Sequence, residues 1–173
     1  MNKKYLLLVI AIIVAIVAAM SLNGEEESST EDKVFKFSDF IITCPPGSHY
    51  ENQSGLLEFY TENSENPALS IGYNSISGLE FDQFIRGSEL LNNEQVLSIF
   101  NNENLFGMSD KYTVNDYNIT EFKNHTTVDI YLSEGNNSSV FHVVKLSDSK
   151  VLLINEYNPN SVTSKIYNSI TFR

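Results

Sequence analysis

The longest hydrophobic run of the chain is Tyr5–Leu22, eighteen residues without a charge. At about 1.5 Å of rise per residue such a helix reaches about 27 Å, enough for a thin hydrocarbon core. Lys3 and Lys4 precede the run, and no basic residue follows it until Lys33. That asymmetry places the N-terminus in the cytoplasm and everything from Asn23 onward outside the membrane. The run is longer than the apolar core of about 7–15 residues in a secretory signal, which favours a retained anchor over residues 1–22. Val17-Ala18-Ala19 and Ala19-Met20-Ser21 offer small-x-small cleavage sites, so a removable signal segment is the alternative.

Residues 23–33 contain no apolar side chain and five acidic ones. They read as a flexible acidic linker between the membrane and a domain over residues 34–173. Within that domain the pattern first has period two. Val34–Phe37 and Phe40–Cys44 form a strand pair stopped by Pro45-Pro46-Gly47, and Leu56–Thr61 and Leu69–Ile76 are two further strands. Helical period follows. Ser77-Gly-Leu-Glu80 is a capping box, with Phe81, Phe84 and Ile85 as the buried stripe. A second helix starts at Asn92 or Asn93, buries Val96, Leu97 and Phe100, and ends near Asn101 and Asn102.

The second half alternates again. Lys111–Val114 and Tyr117–Phe122 read as a hairpin turning at Asn115-Asp116. Thr126–Leu132, Val140–Leu146 and Val151–Tyr157 follow, separated by turns at Gly135-Asn136-Asn137 and Asp148-Ser149, and strands joined this tightly run antiparallel. A closing helix is expected with Asn158 as its cap and Pro159 at its first position, burying Val162, Ile166 and Ile170. The fold class expected is α+β: one antiparallel β-sheet packed by helices, preceded by one N-terminal transmembrane helix.

Two stretches resemble the PsbP-like domains. Phe37-Ser-Asp-Phe-Ile-Ile-Thr-Cys-Pro-Pro-Gly47 is similar to their opening strand, and Lys165-Ile-Tyr-Asn-Ser-Ile-Thr-Phe172 to their closing helix and strand. The same pattern of elements is found in small membrane-anchored proteins of methanogenic archaea. The resemblance implies a Mog1/PsbP-like α/β/α sandwich, a fold whose known members act mainly as binding or assembly factors. It carries over no site residue, since no matching site motif is present.

Charge narrows the partners. From Asn23 onward nine basic side chains face 22 acidic ones, a net of −13. Such a surface repels phosphate backbones, so no nucleic-acid partner is expected. One cysteine excludes an internal disulfide. The three histidines, His49, His125 and His142, fall into no metal-ligand spacing, and no metal or cofactor is expected. There is no Gly-x-Ser-x-Gly elbow, no phosphate-cradling glycine loop and no calcium-loop order. Cys44 with His49 or His142 is the one pairing that suggests a nucleophile and base. Five N-x-[ST] sequons place candidate glycosylation sites at Asn52, Asn118, Asn124, Asn136 and Asn137. Tyr50, Tyr60 and Tyr73 are candidates to line a groove.

These features together lead to the expectation of a non-enzymatic binding or assembly module of the cell envelope. It would be a single-pass protein of the cell membrane, tethered by its N-terminal helix and engaging an envelope protein or surface ligand. A thiol- or metal-dependent hydrolase using Cys44 with His49 or His142 is the alternative in a different class. A structural envelope spacer is a third.

Overall fold

The computed structural model describes residues 31–103, 106 and 112–173. The expected anchor over residues 1–22 and most of the linker lie outside the described residues. Among the described residues no helix is long and apolar enough to cross a membrane.

Among the described residues ten strands form two antiparallel sheets. β1 (Lys33–Lys36), β2 (Phe40–Cys44) and β10 (Thr171–Phe172) make a small sheet in the order β1-β2-β10. The large sheet contains β3 (His49–Gln53), β4 (Leu56–Tyr60), β5 (Leu69–Tyr73), β6 (Thr113–Phe122), β7 (His125–Glu134), β8 (Asn137–Ser147) and β9 (Lys150–Tyr157). Its order is β3-β4-β5-β9-β8-β7-β6. The described residues also form three helices: α1 (Gly78–Ser88), α2 (Asn93–Glu103) and α3 (Ser161–Asn168).

Both faces of the large sheet are buried along β8 and β9, which is why apolar residues stand side by side at Val143-Val144 and Val151-Leu152. Val144, Leu152 and Ile154 face the small sheet and α3, packing with Phe40, Ile42, Ile166 and Ile170. Val143 and Val151 point the opposite way and join Val128, Ile130, Phe81, Val96 and Phe100 under α1 and α2. α1 begins as the sequence implies: Glu80 N–H donates to Ser77 Oγ at 3.3 Å, and Ser77 N–H donates back to Glu80 Oε2 at 2.7 Å. Asn92 and Gln95 make the same reciprocal pair ahead of α2, both bonds at 3.0 Å.

The fold class expected from the sequence is corrected. The described residues are mostly antiparallel β-sheet, 49% strand against 22% helix. It is not the Mog1/PsbP-like α/β/α sandwich, in which helical layers would enclose a single sheet. A second sheet, β1-β2-β10, forms much of one covering layer, and the helices are only 11, 11 and 8 residues long. Part of the discrepancy is strand content that hydrophobic alternation does not reveal. β3 reads His-Tyr-Glu-Asn-Gln and is exposed throughout; the turn at Ser54-Gly55 and the pairing with β4 make it a strand.

β6 is one ten-residue strand, and the hairpin expected at Asn115-Asp116 is a bulge, where the register shifts between Val114 and Asp116. Asn101 of α2 holds that point: its Oδ1 accepts from Val114 N–H at 2.9 Å and its Nδ2 donates to Val114 O at 3.2 Å. At the other end of the domain, α3 starts two residues later than expected. Asn160 is its cap, accepting from Val162 N–H and Thr163 N–H at 2.8 and 3.2 Å, while Asn158 adopts φ +44° in the preceding turn. The later start turns Thr163, Ile166 and Tyr167 inward and leaves Val162 44% exposed.

Candidate functional site

Side chains of alternate residues on β5, β9 and β8 share one face of the large sheet. Register places Ser70 beside Asn155, Gly72 beside Leu153, Asn155 beside Phe141 and Tyr157 beside Ser139. α1 and α2 cover this face over β6, β8 and β9. Over β5 the residues are small, and the face sinks into a groove of about 570 Å³. Ser70, Gly72 and Asn155 line it with Leu56, Leu153 and Phe141. A volume of this size is ordinary for a small-molecule site.

Tyr73 and Tyr157, both lining the groove, are held by hydrogen bonds. The Tyr73 hydroxyl donates to Asp39, which Lys150 Nζ also bridges at 2.9 and 3.0 Å. Those two donors, Tyr73 first, hold the Asp39 carboxyl below its ordinary pKa. The Tyr157 hydroxyl lies 3.2 Å from Ser70 Oγ.

A second cleft, of about 630 Å³, shares Tyr112 and Tyr157 with the first. Its character differs. Thr61, Asn66, Asn137, Ser138 and Ser139 present hydroxyls and carboxamides, and Glu134 is its one charged lining residue. Among the described residues none that lines the groove is charged. Among the described residues four buried side-chain polar atoms have no hydrogen-bond partner, and two of them, Asn155 Oδ1 and Ser139 Oγ, belong to residues lining these two spaces. Buried polar atoms are nearly always satisfied, so two such atoms on one sheet face mark it as unusual.

A buried ionic cluster occupies the opposite face. His142 Nδ1 lies 2.7 Å from Asp129 Oδ1, and Nε2 lies 3.6 Å from Glu156 Oε2, an ion-pair distance too long for a hydrogen bond. The imidazole stacks on Tyr167 with ring centroids 3.9 Å apart. Thr163 Oγ1 and Ser164 Oγ donate to Glu156 Oε1 at 2.6 and 2.7 Å. Burial pushes the His142 pKa down, but the Asp129 and Glu156 carboxylates outweigh it and leave it above its ordinary value. Burial likewise pushes the Glu156 pKa up, and His142, Thr163 and Ser164 together bring it below the ordinary range. In this order Nε2 faces a carboxylate instead of a hydroxyl or thiol. The cluster therefore ties α3 to β7, β8 and β9 and does not activate a nucleophile.

The sequence-derived candidates are scattered. Cys44 is 1% exposed in the core between the sheets, and burial pushes its thiol up to about 12, leaving almost no thiolate at neutral pH. It makes no hydrogen bond to His49 or His142. His49 stacks on Tyr60 at the exposed β3 edge, His125 Nδ1 lies 2.9 Å from Lys145 O, and His142 is in the buried cluster. Among the described residues no group of three or more His, Cys, Asp or Glu side chains is arranged so that it could hold a metal ion. Asn52, Asn118, Asn124, Asn136 and Asn137 are all exposed, although Ser139, which completes the sequon of Asn137, is buried.

Of the three tyrosines suggested for a groove, Tyr73 lines it and Tyr60 pairs with His49. Tyr50 packs against Phe35 and Phe37 beside a neighbouring hollow of about 400 Å³. Sequence reasoning missed Ser70 and Gly72. Their signal is present in Leu69-Ser-Ile-Gly-Tyr73, where small residues occupy every second position of a strand with large neighbours.

No protein-family profile matches the chain, and no curated protein does. Among solved structures it is similar to a crystal structure from Bacteroides thetaiotaomicron, with a TM-score of 0.40 and 10% identity. That match covers 78% of this chain and 45% of the other, so the chain spans less than half of that protein. A likeness at this level defines neither fold nor activity.

Proposed function

We propose that the chain is a membrane-tethered, outward-facing, non-enzymatic binding domain whose ligand seat is the paired groove and cleft meeting at Tyr112 and Tyr157. The observation that carries this reading is a pair of buried atoms, Asn155 Oδ1 on β9 and Ser139 Oγ on β8, beside the two spaces and without a hydrogen-bond partner among the described residues. Leaving a polar atom buried and unpaired costs about 1–3 kcal/mol, and a ligand that reorders the site and supplies hydrogen bonds offsets that cost. The tether rests on Tyr5–Leu22 and the lysines before it, and the outward orientation on the same asymmetry. The reading of the module as non-enzymatic rests on Cys44 and the histidines being held apart.

The test is fluorine NMR of the full chain labelled with 3-fluorotyrosine in lipid nanodiscs. Benzyl alcohol, an uncharged aromatic alcohol, is expected to shift the Tyr112 and Tyr157 signals and leave that of the buried Tyr167 in place. Unchanged Tyr112 and Tyr157 signals at saturating probe would overturn the assignment of the seat.

A further inference from the structure

The two halves of the seat differ in chemistry, and together they select a ligand. This inference rests on the binding reading above and specifies what is bound. We infer that the seat takes an uncharged glycoside, a hydroxyl-rich sugar joined to an apolar group.

The groove supplies the apolar half. Leu56, Leu132, Phe141 and Leu153 line it without a charged neighbour, and Gly72 leaves its floor open. A methyl group at that glycine would stand 3.2 Å from Leu56 Cδ1, so even an alanine would begin to fill the space. The adjoining cleft supplies hydroxyls and carboxamides, groups that both donate and accept hydrogen bonds, as sugar hydroxyls do. Tyr112 and Tyr157 stand where the halves meet, each offering an apolar ring face and a hydroxyl.

Charge removes the competing classes. Among the described residues no lysine, arginine or histidine lines either half, so a phosphate or carboxylate finds no counterion from them there. The net charge of −13 from Asn23 onward repels anions at longer range as well. An extended peptide needs an unpaired strand edge for its backbone, but β5, β9 and β8 are interior strands whose edges are already paired.

The full chain in nanodiscs, labelled as above, is titrated with four kinds of probe: phenyl β-glucoside, phenyl β-galactoside and phenyl α-mannoside; benzyl alcohol; free glucose; and phenyl phosphate. At least one glycoside is expected to bind about tenfold more tightly than benzyl alcohol and than glucose, the equivalent of one or two added hydrogen bonds. Phenyl phosphate is expected not to bind. Asn155→Leu and Ser139→Ala should each weaken the glycoside about fivefold or more while the unliganded melting temperature holds or rises, because each removes an unsatisfied buried group. A purely structural role would lower that temperature instead. If no glycoside exceeds benzyl alcohol, or if phenyl phosphate binds as well as the glycosides, the ligand class is overturned while the seat stands. If none of the probes moves Tyr112 or Tyr157, both inferences fall.

Discussion

Replacing Glu156 by Gln tests how the buried cluster under α3 is charged. The substitution keeps the shape of the side chain and an oxygen able to accept from Thr163 and Ser164. It removes the carboxylate 3.6 Å from His142 Nε2, leaving the imidazolium with Asp129 alone. Removing one partner of a buried pair costs about 3–5 kcal/mol, and the retained Asp129 contact puts the expected value at the low end, about 3 kcal/mol at pH 5.5. In a domain of this size that lowers the melting temperature by about 10 °C.

The sign changes with pH in a defined way. The His142 pKa is raised, so its stabilisation is complete below about pH 6.5 and fades as pH climbs through the raised value. The Glu156 pKa is lowered, so its stabilisation holds above about pH 4.5 and fades as pH falls through the lowered value. The cluster contributes most between those limits. As the pH climbs above about 6.5 through the raised value and His142 loses its proton, the cost of Glu156→Gln should fall, to less than about 1.5 kcal/mol once the imidazole is neutral. Urea unfolding of residues 31–173 over a pH series upward from about 5.5 measures the decline. A loss that stays constant across the whole series would refute an imidazolium held between two carboxylates.

Two further substitution pairs probe the packing by the same unfolding assay. A side chain at Gly78 would run into the Ser147 carbonyl, whereas one at Gly87, in the same helix, meets nothing within 4 Å. Gly78→Ala should destabilise by more than about 2 kcal/mol and Gly87→Ala stabilise by about 0.5–1 kcal/mol; similar effects would contradict the seating of α1 against the β8–β9 turn. Ile166→Ala should cost about 2–5 kcal/mol and Val162→Ala less than about 0.5 kcal/mol, and a costly Val162 would restore the helix start at Asn158.

Elements whose determinants lie within a few residues are legible in the sequence. Ser77 and Glu80 announce the start of α1, and the short apolar-rich runs Val140–Leu146 and Val151–Tyr157, bounded by turns, announce β8 and β9. The turn at Gly135-Asn136, with Gly135 at φ +59°, follows from glycine's freedom in that region. Tertiary structure decided the rest. Asn158 and Asn160 are equivalent caps by composition; Asn158 N–H donates to Ser138 O and its Oδ1 accepts from Ser138 N–H, which commits it to the turn and leaves capping to Asn160. Asn115-Asp116 is a plausible turn in isolation, but the ladder with β7 continues past it and makes it a bulge. The groove depends on pairing β5 with β9, which brings Ser70 to Tyr157 across 87 residues of chain. Likewise His142 meets Asp129 and Glu156 only because β7, β8 and β9 lie in register. Local patterns specify which face of a strand is apolar, whereas the choice of neighbouring strand is made by burying whole faces at once. That choice determines which buried polar atoms end up paired and which do not.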